Sequence, residues 1–154
     1  MTVSGFELGT DGPRVIVVGV DGSEGSLRAA AYAMGVARRH DAELIAVKVE
    51  AEVPAAAISA ATAAPALLPA VYDSQNDGQN WLLDQLKTDA RAWSAHFEMV
   101  VRHGDAAGQL ADVAQQSRAD MVVVGAATSL AHRLLGSLPQ RLSRRRQWVL
   151  TIVP

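Results

Sequence analysis

The chain contains no cysteine, which removes a disulfide scaffold, a thiolate metal site and a cysteine nucleophile together. Lysine is almost as scarce. Only Lys48 and Lys87 occur, so the phosphate loop ending in Gly-Lys-Ser/Thr is absent, and no lysine follows the last apolar run, where a phosphoacceptor receiver would need one. The four histidines, His40, His96, His103 and His132, show neither HxxxH nor HExxH spacing and give a metal site little support. Acids are missing from one end: all sixteen lie at or before Asp120, while Met121 to Pro154 carries five arginines. The net charge of −2 thus divides into −7 for residues 1–120 and +5 for the remainder. That split argues against polyanion binding by the whole surface and leaves room for one anion site in the C-terminal third.

What remains is the composition of a compact domain: 154 residues, 49% hydrophobic, 19% charged, with a mean hydropathy of +0.11. Met1 to Pro13 has neither a basic start nor an apolar core, so no secretory signal is read and the expected address is the cytoplasm. Residues 1–13 are expected to be a flexible leader and 14–154 one domain, with an Ala/Pro-rich loop at about 51–78. Val53 to Tyr72 is a run of 20 residues without a charge, long enough to span a bilayer. Ten of the residues from Ala51 to Ala70 are alanine, however, and Pro54, Pro65 and Pro69 interrupt the run, so no membrane association is expected.

Five short apolar runs rich in β-branched residues predict strands: Val15–Val20, Leu44–Val49, Glu98–Arg102, Met121–Gly125 and Val149–Val153. Several are continuous rather than alternating, as strands covered on both faces are. Between them lie helical stripes: Leu27, Ala30, Ala31, Met34 and Ala37 after a Ser23 N-cap; Leu82, Leu86, Ala90 and Trp93; Ala107, Leu110, Ala111 and Ala114; and Leu135, Leu138 and Leu142. The alternation predicts an α/β fold, an open five-stranded parallel sheet with helices on both faces. Ligands of such sheets bind beyond the carboxyl ends of the strands, which directs attention to the loops after the first and fourth.

The first loop, Gly19-Val20-Asp21-Gly22-Ser23-Glu24-Gly25, fits neither GxGxxG nor GxSxG. Its Asp21 is placed to accept hydrogen bonds from a sugar hydroxyl or a base, or simply to cap the following turn. In the second loop, Gly125 to Leu138, Gly136-Ser137 would open the last helix and offer an anion its free N–H groups, or Ser137 would serve as an ordinary N-cap.

Strand-VDGS-helix at the front, with VVVG, LLGS and a VTIVP-like ending at the back, resembles the universal stress protein family over most of the chain from about Arg14 to Pro154. The resemblance implies a five-stranded α/β fold, a homodimer paired through the last strand Val149–Val153, and a candidate site for an adenine nucleotide such as ATP, with Mg if a triphosphate. Val20, Asp21 and Val49 would then lie by the ribose and base. In the family signature, GxxG, nine residues, then G[ST], Gly125 matches the first glycine and Gly136-Ser137 the closing pair, with Leu138 following. Thr128 stands at the second glycine, and seven residues rather than nine separate it from Gly136. Thr128, Ser129, His132 and Arg133 could supply donors or charge to a differently placed phosphate.

No nucleophile-base pair is evident, so no strong enzyme is expected. The run Arg141, Arg144, Arg145, Arg146 is read as cations complementing a helix C-terminus, and nucleic-acid binding is not expected from it. The leading expectation is a non-catalytic, dimeric regulatory or protective protein of the stress response with a degenerate adenine-nucleotide pocket. The alternative is a genuine ATP-binding sensor or weak ATPase of the same fold.

Overall fold

The computed structural model describes residues 12–50, 84–85, 87–89, 92, 96–126 and 138–154. Five strands, β1 (Val15–Val20), β2 (Glu43–Glu50), β3 (Phe97–His103), β4 (Met121–Gly125) and β5 (Val149–Val153), form one all-parallel sheet in the order β3-β2-β1-β4-β5. β2 and β3 run one residue beyond the expected bounds at each end, since the ladder between them extends from Leu44↔Phe97 to Glu50↔His103 and Glu43 N–H donates to Arg14 O at 2.8 Å. The strand order reverses between β1 and β4, which makes the gap between their carboxyl ends the switch point where such sheets bind ligands.

Helix α1 (Glu24–His40) covers one face; α2 (Ala106–Gln116) and the short α3 (Leu138–Ser143) cover the other. Strand residues sort between them by alternation: Ile16, Val18, Leu44, Ala46 and Val123 join the α1 core, and Val17, Ile45, Val47, Val122 and Val124 join Leu110 and Leu142. Burial on both faces is why the runs are continuous in hydrophobicity.

Ser23 caps α1 as expected, its Oγ accepting from Ser26 N–H at 3.2 Å. The α1 stripe is corrected in two places: Ala31 is exposed and Leu27 only half-buried, and the buried arc runs through Ala29, Ala30, Ala33, Met34, Val36 and Ala37, because the first turn seats on Gly25 and Ser26 and turns Ala31 away from the sheet. Ala107, Leu110, Ala111 and Ala114 are buried as expected. Residues 84–85, 87–89 and 92 are helical, whereas the stripe Leu82, Leu86, Ala90, Trp93 lies outside the described residues, as do Leu135, residues 1–11 and the 51–78 loop. No helix among the described residues is long and apolar enough to cross a membrane. Among the described residues Lys48 is the one buried charge, 8% exposed and paired with Glu50 Oε1 at 3.0 Å.

Candidate functional site

Parallel packing places the carboxyl ends of the strands and the amino ends of the helices at one pole. A cavity of about 240 Å³ opens there at the switch point. Gly19, Val20 and Asp21 come from the end of β1, Val47 and Val49 from β2, and Val124, Gly125 and Ala126 from β4. Ser23 and Ser26 in the turn into α1, Ala106 and Leu110 on α2, and Leu138 and Pro139 at the start of α3 close it. The described walls are thus mostly aliphatic, with one carboxylate and two hydroxyls at the rim.

Asp21 is built into that rim by its own turn. Its Oδ1 accepts from Ser23 N–H at 2.9 Å, its N–H donates to Ser26 Oγ at 3.2 Å, and Gly22 takes φ +81, a conformation costly for any residue with a Cβ. Partial burial pushes the Asp21 carboxyl up, but hydrogen bonding by Ser23 and Ser26 outweighs it and holds the group below the ordinary aspartate range. Asp21 therefore presents a charged acceptor at neutral pH. It caps its turn and lines the cavity at once, so the two sequence readings do not compete.

Gly125 is required for a steric reason. A Cβ there would lie 2.5 Å from Gly25 C and 2.6 Å from Gly25 O, so the first turn of α1 packs directly on the end of β4. Two glycines facing each other draw the Asp21–Ser26 turn against the Gly125–Ala126 turn and close one wall.

The opposite wall is tied by charge. Asp105, the N-cap of α2, accepts Gly108 N–H at 2.8 Å and binds both guanidinium nitrogens of Arg141 on α3, at 2.6 and 2.7 Å. The Arg141 fork, first, and the Gly108 amide hold the Asp105 carboxyl below its usual range. Arg141 belongs to this pole; the structure separates it from Arg144, Arg145 and Arg146, with which it forms a single run in sequence.

Of the residues singled out in the sequence, Val20, Asp21, Val49, Gly125 and Leu138 come together in this one cavity. Thr128, Gly136 and Ser137 lie outside the described residues, and α3 begins at Leu138. Val47 was legible in principle, because it stands two residues before Val49 on the same face of β2. Ala106, Leu110 and Pro139 carried no such signal, being ordinary helix residues that only the docking of α2 and α3 brings to the cavity. Among the described residues no group of three or more His, Asp or Glu is placed to hold a metal ion.

The model of the universal stress protein family matches residues 13–154. The chain belongs to the universal stress protein family. A universal stress protein of Methanocaldococcus jannaschii is 29% identical over 129 residues, covering 82% of this chain and 74% of that protein. Among solved structures, a universal stress protein in complex with cAMP is 27% identical with a TM-score of 0.63, over 92% of this chain and 97% of that one. An Arabidopsis thaliana family member with AMP bound has a TM-score of 0.63 at 16% identity, over 92% of this chain and 91% of that one, and shares the fold. The Rossmann-like sheet described above is thus the family's architecture in this universal stress protein.

Proposed function

We propose that this universal stress protein is a non-catalytic, dimeric regulatory or protective protein whose switch-point cavity takes the nucleoside part of an adenine nucleotide. The observation that carries the reading is the cavity itself: a carboxylate held charged by its own turn beside aliphatic walls at the crossing of β1 and β4. A flat, mostly apolar base suits walls made of Val47, Val49, Ala106, Leu110 and Val124, and ribose hydroxyls suit the Asp21 carboxylate. The relative solved with cAMP supports a ligand of this class. Val20, Asp21, Val49, Gly125 and Leu138 would line the bound nucleoside, and Thr128, Gly136 and Ser137 are proposed for its phosphate.

Two residues fewer between Thr128 and Gly136 than in the family signature favour a monophosphate or cyclic phosphate over a triphosphate with Mg. The second reading, an ATP sensor or weak ATPase, keeps the same cavity and differs in that loop. Isothermal titration of protein stripped of nucleotide, with cAMP, AMP and Mg-ATP, separates them. Saturable binding of cAMP or AMP that is lost in Asp21→Ala and in Ala106→Trp supports the proposal. Tighter binding of Mg-ATP transfers support to the sensor reading, and unchanged binding in both variants removes this cavity as the site.

The homodimer is proposed on β5, an edge strand whose Val149 and Ile152 are 60% and 51% exposed. An apolar strand with an unpaired edge is a ready template for a second copy.

A further inference from the structure

The pole opposite the cavity carries a concentration of positive charge that no ion pair absorbs. β4 and β5 are parallel neighbours with Met121 opposite Val149, so Arg118 and Arg146 stand at equivalent places, three residues before the two paired positions. Both have the same left-handed backbone, φ 53 and 52, and Val149 N–H donates to Asp120 O at 2.9 Å to tie the two approaches together. Arg144 and Arg145 precede Arg146 in the turn after α3. All four side chains are exposed, and none forms a salt bridge among the described residues. Asp120, an acid in this corner, turns its Oδ2 to Arg14 N–H at 2.8 Å and Val15 N–H at 3.0 Å rather than to an arginine, so four guanidinium groups stand against its one carboxylate. A groove of about 540 Å³ lined by Asp120, Arg146, Gln147 and Trp148 opens beside Arg146.

Capping alone does not account for this charge. The carboxyl ends of α2 and α3 present at most about half a negative charge each, against four guanidinium groups. The sequence obscured the cluster in two ways: Arg118 is distant in the chain, and Arg141, adjacent in the run, is spent on Asp105 at the other pole.

We infer that this arginine corner docks the phosphodiester backbone of a nucleic acid. The cations are all arginine, whose planar fork grips phosphate oxygens two at a time. A bilayer is disfavoured, because among the described residues the one large apolar side chain exposed beside the corner is Val149. Binding would be end-on, with the cavity facing away.

The test is fluorescence anisotropy of a labelled 20-base-pair DNA duplex titrated with the full chain between 25 and 200 mM salt. Neutralising four phosphates predicts affinity falling on the order of 100-fold between 50 and 200 mM salt. Arg144→Glu/Arg145→Glu should weaken binding at 50 mM salt by tenfold or more with an unchanged thermal midpoint. Arg28→Glu, which makes the same change per residue at the cavity pole, should leave it unaltered. No saturable binding at 25 mM salt overturns the inference. So does an equal loss in Arg28→Glu, full binding by the double variant, or binding to phosphatidylglycerol vesicles or a poly-glutamate peptide without binding to the duplex. If the double variant shows a lowered midpoint, Arg118→Ala replaces it with the same expected loss, and retained binding there is equally adverse.

Discussion

Replacing Gly125 with alanine tests how the switch point is closed. The added Cβ would meet Gly25 C at 2.5 Å, Gly25 O at 2.6 Å and Ser26 N at 2.8 Å, where ordinary contact begins near 3.4 Å. All three obstacles are backbone of the first turn of α1, which cannot rotate aside as a side chain does. The turn therefore has to retreat from β4 by roughly 0.9 Å, carrying with it Ser23 and Ser26 and the bonds they make to Asp21. Overpacking usually costs about 1–3 kcal/mol, and with backbone on the far side the upper end, ~3 kcal/mol, is expected. At about 2–4 °C per kcal/mol for a chain of this size, the midpoint should fall by roughly 6–12 °C. Gly25→Ala is the matched control: its Cβ meets Ala126 O at 3.2 Å, a contact that a few tenths of an ångström relieves, so near-neutral behaviour is expected. Thermal and urea unfolding of the two variants beside the parent decide the matter. A Gly125→Ala midpoint within 2 °C of the parent, or an equal loss in Gly25→Ala, would refute the argument that the close approach of these two turns holds the wall.

Acid should weaken the fold through Asp21 and Asp105. Both carboxyls sit below their ordinary value when folded, so each contributes stability that is complete above the unfolded pKa near 3.9 and is lost as pH falls through the folded value. The urea midpoint should be flat from pH 7 to 5 and decline below about 4, with a shallower decline in Asp105→Asn. At neutral pH, Asp105→Ala is expected to cost about 1 kcal/mol as a lost N-cap, whereas Asp105→Ser keeps the cap and should recover most of it; equal losses would assign the effect to the Arg141 pair instead. For the proposed dimer, Ile152→Lys places a charge on the exposed β5 edge and should shift the species seen by sedimentation at micromolar concentration from dimer to monomer. A parent that sediments as a monomer removes that proposal.

The sequence by itself determined the strands. Runs such as Val15–Val20 and Met121–Gly125 are continuous in hydrophobicity because both their faces are covered, and a run of that kind is read without knowledge of its neighbours. Ser23 was legible as a cap, and Asp21 and Gly125 as residues of the loops that line the cavity, because strand ends followed by turn residues announce themselves locally. Ladder ends were less legible: Glu43 and His103 join their strands only because a neighbour supplies the partner. Tertiary structure alone decided which chemistry meets which. It set Leu110 and Ala106 against Val47, pressed Gly25 onto Gly125, and joined Arg141 to Asp105, 36 residues away. It also divided one run of arginines by partner, since Arg141 on α3 binds Asp105 while Arg144 to Arg146 continue beyond the helix, and the register of β4 and β5 sets Arg118 and Arg146 at equivalent places. The physical reason is common to all of these: hydrophobic periodicity is written along the chain at short range, whereas pairing between elements depends on strand order and helix docking, which local sequence does not encode.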